Sequence, residues 1–245
     1  MQRSEVRLCA FRATLSRKAP KTRRLRRVRI CRLWLTGRAS IQVDATGENA
    51  ILVSKGANGG ITREHIHEVI SACSEGDIML LQNETNGLEY ILELARKAGV
   101  YTVLNPSPFG EYLRSLPVPA DCVILNETEA CEWAESSDPL DFIEKFGSEF
   151  DIILTLGEKG GVYSLNGKTA KFNAYKTDVV DTTAAGDTFT GYLFARLSSG
   201  SDTQTAFSEA ALAAALAVSR SGASSSVPYI HEVLDKFSEA VPRIF

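Results

Sequence analysis

The stretch Val179 to Phe189, VVDTTAAGDTF, sets two aspartates six positions apart, with threonines, alanines and a glycine between them. Small side chains let a backbone approach a ligand closely, and Gly186 adds conformational freedom. If a helix begins there, its first N–H groups point outward and its dipole favours negative charge, so the run suits an anion. An aspartate in the same turn is repelled by that anion, yet it is well placed to take a proton. The plainer alternative is that Asp187 only caps the helix.

Such a loop needs a frame. ASIQVD, the turn ATGEN and AILVS read as a β-hairpin near 38–54. ITREHIHEVISAC reads as a helix, DIMLLQ as a buried strand, and NGLEYILELARKAG as an amphipathic helix with Leu88, Ile91, Leu92 and Ala95 on one face and Gly99 as its stop. VYTVLN and DCVILN are strands, with PSPFG breaking the chain between them. ETEACEWAE and DPLDFIEKFG are helices, and DIILTLG is another buried strand. GVYSLNG and KTAKFNAY read as shorter, more exposed strands. Alanine-rich helices over about 185–199 and 203–219 suit close packing on a sheet, and a last helix runs from about Tyr229 to Ala240. Strand–helix alternation with apolar strands predicts an α/β fold, with a mainly parallel sheet covered on both faces. Ligands then bind beyond the carboxyl ends of the strands, and LNPSP, LNETE, TLGEKGG and DTTAAGD each close an expected strand.

Composition bounds the chemistry. The 245 residues, 44% hydrophobic, support a sizeable core. The net charge of −3 hides an asymmetry: residues 1–35 hold twelve Lys and Arg against Glu5 alone, and the remainder is strongly acidic. The arginine-rich start reads as an exposed basic tail, a transit peptide or a nucleic-acid patch, the last disfavoured because only Phe11 and Trp34 are aromatic there. Five scattered cysteines without a C-x-x-C argue against a disulfide scaffold or a zinc site and for a reducing compartment. No apolar run reaches the ~20 residues of a membrane span. The expected organisation is a tail over 1–35 and one domain over 36–245.

Together and in this order, LNPSP, ILNETEA, TLGEKGG, DTTAAGDTFTGYL and ALAVSRSGASSSVP resemble the ribokinase family of carbohydrate kinases, over roughly Gly37 to Ala240, with wording closest to the ribokinase subgroup. The resemblance implies a ribokinase-like three-layer α/β sandwich with a β lid. It implies transfer of the ATP γ-phosphoryl group to a sugar hydroxyl, D-ribose giving ribose 5-phosphate, with Mg²⁺ and K⁺ as cofactors. Asp187 matches the family's catalytic base, and the N–H groups of Ala184, Ala185 and Gly186 match its anion hole. Asp181 and Thr183 match a monovalent-cation site whose other ligands, mostly backbone carbonyls, match Ala217, Arg220, Gly222 and Ser226. Asn126 matches a nucleotide contact, and Glu129 the acid that organises hydrated Mg²⁺; their spacing puts both on one face of a helix start. Thr155, Leu156, Gly157, Glu158, Lys159 and Gly160 match the turn bordering the nucleotide. Glu84 matches a sugar contact. Ala211 stands where the family often carries a polar residue near adenine. The implied partners are sugar and ATP, without membrane and with a homodimer left open, in the cytoplasm or, through the basic tail, an organelle.

The sequence also departs from the family. A member normally opens with a strand, an early sugar-gripping aspartate and a double-glycine stretch, which are absent here. SKGANGG, Ser54 to Gly60, looks like that stretch but follows the hairpin, where the family has a later segment. The hairpin is then a remnant lid on an N-terminally truncated domain, with the nucleotide half intact and the sugar half not. A frame error, an alternative start or splice form, or a degenerate copy would each produce this. A non-catalytic nucleotide-binding relative and a basic-tail adaptor are the competing readings.

Overall fold

A computed structural model describes residues 38–43, 49–117 and 119–237, with only the backbone of 38–43 and 49–53. The basic tail over 1–35 and the expected end of the last helix beyond Phe237 lie outside the described residues. The described residues fall into two compact units, one ending at Ala120 and one beginning at Asp121.

In the first unit, strands β1 (Arg38–Val43) and β2 (Asn49–Ser54) pair antiparallel as a two-stranded sheet of their own, Ile41 opposite Ile51. The SKGANGG segment forms a 3₁₀ turn over Gly56–Gly60 that buries Ala57. Helix α1 (Arg63–Ser71) starts where Thr62 accepts the His65 N–H at 3.3 Å, satisfying one donor of the first turn. Strand β3 (Ile78–Gln82) and strand β4 (Tyr101–Asn105) pair in parallel, joined by α2 (Leu88–Lys97). That helix buries Leu88, Ile91, Leu92 and Ala95, the face expected from their spacing. Gly99, at φ +67°, ends it in the left-handed conformation that glycine adopts without strain.

The second unit carries β5 (Cys122–Asn126), α3 (Glu127–Ala134), α4 (Asp141–Phe146), β6 (Asp151–Thr155), β7 (Gly161–Leu165) and β8 (Lys168–Phe172). Helices α5 (Ala185–Ser198), α6 (Thr203–Val218) and α7 (Ile230–Phe237) follow. β5 and β6 are parallel, while β7 and β8 fold back antiparallel. Strands β3 to β8 follow one another in sequence order in one mostly parallel six-stranded sheet flanked by helices, the expected fold class. Trp133, Phe142, Phe146 and Phe150 pack as an aromatic cluster, Trp133 edge-on to Phe142 at 5.3 Å.

Three expectations are corrected. β7 is not an exposed strand: Gly161, Val162 and Ser164 are buried, because β7 lies between β6 and β8, and of the two it is β8 that is exposed. It is also no shorter than β6. The alanines of α6 serve a helix more than the sheet. Ala206, Ala210, Ala213 and Ala217 are fully buried along one stripe, and α6 packs chiefly on α5. Finally, DTTAAGD does not close a strand. It follows an irregular segment over 173–180, where the N–H groups of Val180 and Asp181 both donate to the Val218 carbonyl at the end of α6, at 2.8 and 3.1 Å.

Candidate active site

Two sequence-distant loops meet at Asp181. Its Oδ1 accepts the Thr183 N–H at 2.9 Å, and its Oδ2 accepts the Gly222 N–H at 3.0 Å. These bonds favour the charged carboxylate, so hydrogen bonding to Thr183 first, and then to the Gly222 N–H, holds Asp181 below the usual carboxylate range. The loop after α6 is itself wound tightly: Arg220 donates its N–H to the Ala217 carbonyl at 3.1 Å, and buried Ser226 donates its hydroxyl to the Ala223 carbonyl at 2.8 Å. Asp181 and Thr183 on one loop, and Ala217 at the end of α6 with Arg220, Gly222 and Ser226 in the loop after it, are therefore joined by direct bonds. A carboxylate and backbone carbonyls are hard oxygen donors of the kind a hard cation takes.

From Thr183 the chain turns into α5. The left-handed residue is Ala184, at φ +63°, not Gly186. A non-glycine there costs roughly 1 kcal/mol. Gly186 lies inside the first helical turn, and a Cβ built on it would meet no atom within 4 Å. Neither strain nor packing demands a glycine at 186, so its lack of a side chain leaves open space outside the helix end. The Ala185 N–H donates to the Thr182 carbonyl at 3.2 Å, and helical bonding begins with Thr188 to Ala184 at 2.9 Å. Among the described residues the N–H groups of Ala184 and Gly186 have no acceptor, so two of the three expected anion-hole donors are available and Ala185 is engaged in its turn. Asp187 is the third residue of α5 and exposed. The N-cap position belongs to Ala184, so Asp187 is not the capping residue.

The carboxyl ends of β5 and β6 sit side by side, Asn126 opposite Thr155. Asn126 and Glu129 form a reciprocal cap on α3: Asn126 Oδ1 accepts the Glu129 N–H at 2.9 Å, and Glu129 Oε2 accepts the Asn126 N–H at 3.0 Å. Glu129 is buried and Asn126 exposed. A buried acid tied to its cap suits Mg²⁺ held through water rather than directly. Across the pair, Thr155 donates its hydroxyl to the Leu125 carbonyl at 3.2 Å. The chain then turns through Gly157–Lys159, closed by the Leu156 N–H on the Gly160 carbonyl at 2.8 Å. Gly157, Glu158 and Lys159 face solvent. Gly160 is required by the fold: at φ +78°, a Cβ there would stand 2.1 Å from the Phe172 carbonyl oxygen. Ala211 is buried in α6.

Glu84 belongs to the first unit, half-buried in the turn after β3. That turn is gripped on both sides. Buried Asn83 donates to the Pro108 carbonyl at 2.6 Å and accepts from the Tyr112 hydroxyl, while Asn86 exchanges two bonds with the Ile61 backbone at 2.9 and 2.8 Å. The sequence reading named neither asparagine. It also missed the Val218 carbonyl, which carries no side-chain signal, and the ion pair of Arg196 with Glu209 that joins α5 to α6.

Among the described residues no helix is long and apolar enough to cross a membrane. The chain matches the pattern of the pfkB family of carbohydrate kinases over residues 31–230. It is 34% identical to a ribokinase of Schizosaccharomyces pombe, over 83% of this chain and 68% of that protein. Its fold matches a Cryptococcus neoformans ribokinase in complex with ADP at a TM-score of 0.75 and 29% identity, covering 86% of this chain and 74% of the other. It also matches an Arabidopsis thaliana ribokinase complexed with ribose and ATP, at 0.71 and 26%, covering 84% and 70%. The motifs that suggested an anion site thus lie within a match spanning most of the chain, and the chain belongs to the pfkB family of carbohydrate kinases as an ATP-dependent sugar kinase.

Proposed function

We propose that the sugar is D-ribose, phosphorylated on its 5-hydroxyl, and that Asp187 is the base. The observation that carries this is the start of α5, where an exposed carboxylate shares one turn with N–H groups that have no acceptor among the described residues and a glycine that leaves space open. The hydroxyl oxygen attacks the γ-phosphorus, its proton passes to the Asp187 carboxylate, and the bond from phosphorus to the β–γ bridging oxygen breaks to release ADP. The N–H groups of Ala184 and Gly186, joined by Ala185 if its turn bond yields, face the charge that builds on the transferring group. Thr155–Gly160 and Asn126 border the nucleotide. Mg²⁺ held near Glu129 would neutralise phosphate charge, and K⁺ between Asp181 and the 217–226 loop would stiffen the anion-binding turn. Ribose is supported by the ribokinase names of the relatives, one of them complexed with ribose and ATP. Reduced cysteines such as Cys73, Cys122 and Cys131 suit the cytoplasm.

Phosphorus NMR of the full chain with Mg-ATP and, in turn, D-ribose, 2-deoxyribose or fructose tests this reading. It predicts ribose 5-phosphate as the dominant product. Preferential phosphorylation of either other sugar would contradict it.

A further inference from the structure

The loop that follows α6 is gripped from its far side. Arg220 donates from Nη2 to Oε1 of Glu232 at 2.6 Å, and Oε2 of the same carboxylate accepts the Tyr229 N–H at 2.6 Å. Both members of the ion pair are only partly exposed, 35% for Arg220 and 27% for Glu232. The helix that carries Glu232 is anchored independently. Val233 is fully buried with Leu212, Ala213 and Leu216 of α6, and Tyr192 of α5 donates its hydroxyl to the Pro228 carbonyl at 2.6 Å. Glu232 is therefore a fixed point from which Arg220 is held.

From Arg220 the path continues along the chain to Gly222. Its N–H reaches the Ala217 carbonyl, Gly222 two residues on reaches Asp181, and Asp181 reaches Thr183, the residue before Ala184. We infer that Glu232 is a positioning residue for phosphoryl transfer: through Arg220 it holds the 219–222 loop, and through that loop it holds Asp181 and the start of α5. The inference rests on reading 181–187 as the phosphoryl site. The Glu232 carboxylate bonds Arg220 and the Tyr229 N–H rather than any residue of 181–187, so its effect is on the geometry of the turn.

Hydrogen exchange read by mass spectrometry on the full chain tests it, comparing peptides over 178–190 and 203–216. Loss of a charge-assisted hydrogen bond is expected to speed exchange of 178–190 about tenfold in Glu232→Gln. Exchange of 203–216 should not change. In the double variant with Arg220→Met, exchange should be no faster than in Arg220→Met alone, since both act through one bond. Unchanged exchange at 178–190, equal acceleration of both peptides, or additive effects would each overturn the inference. Comparing wild type in potassium and tetramethylammonium chloride tests the cation reading separately: no added protection in potassium contradicts that reading and leaves the comparison of variants intact.

Discussion

Gly222 donates its N–H to Oδ2 of Asp181 at 3.0 Å, joining loops forty-one positions apart in sequence. The bond makes the end of α6 part of the turn that starts α5. It also gives Asp181 a structural task alongside any ligand it holds.

The pH dependence of stability follows from that bond. Hydrogen bonds to Thr183 and Gly222 depress the folded-state pKa of Asp181, so its contribution is complete above the unfolded pKa and is lost as pH falls through the folded one. Urea unfolding of wild type and Asp181→Asn between pH 2 and 7 should show a stability gap that is full above about pH 4 and closes below it. A gap constant across that range would show that the carboxylate charge plays no part.

Two glycines should respond oppositely to alanine. Gly160→Ala forces a Cβ against the Phe172 carbonyl at a positive φ and should destabilise by about 3 kcal/mol or more. Gly186→Ala meets open space inside a helix and should leave the unfolding midpoint unchanged or slightly raised. Its turnover should nevertheless fall, by about 10²-fold if the methyl displaces the phosphoryl group. Normal turnover in Gly186→Ala would remove the ligand-space argument.

The cap on α3 separates structure from ligand binding. Asn126→Ala removes the side-chain acceptor and should cost about 1 kcal/mol in denaturant unfolding. Glu129→Gln retains the reciprocal cap and should be near neutral in stability, within about 0.5 kcal/mol. The same variant should need more Mg²⁺ for half-maximal rate. An unchanged Mg²⁺ requirement would leave Glu129 as a cap alone.

The pair joining α5 to α6 is unevenly buried. The Glu209 side chain is 3% exposed and that of Arg196 26%. Arg196→Met strands a buried carboxylate and should cost about 3 kcal/mol, while Glu209→Gln leaves a cation that can reach water and should cost less. Equal losses in calorimetric unfolding would argue against this ordering.

Much of the fold was legible because its signals are local. The stripe Leu88, Ile91, Leu92 and Ala95 and the stop at Gly99 fix α2 without any tertiary information. Burial of β7 depends on its two neighbours in the sheet, which Gly161 and Ser164 do not announce. At the site, Asp187 and Gly186 stood out by type, but the reason given for Gly186 was incomplete: the positive φ falls on Ala184, and the glycine matters for the side chain it lacks. The bonds from Asp181 to Gly222 and from Arg220 to Glu232 cross sequence distances that no spacing rule spans. Carbonyl acceptors such as that of Val218 have no signature in residue type.

Asp187→Asn tests the central claim most directly. The amide keeps the size of the side chain and its place in the first turn of α5, but it cannot accept the hydroxyl proton. Steady-state turnover with D-ribose and Mg-ATP, paired with calorimetric ATP binding, should show a loss of about 10²–10⁴-fold in rate. ATP affinity should be kept or slightly tightened, because a negative charge near the phosphates is gone. Near-normal turnover in this variant would mean that the proton leaves by another group, and that Asp187 is only an acid at a helix start.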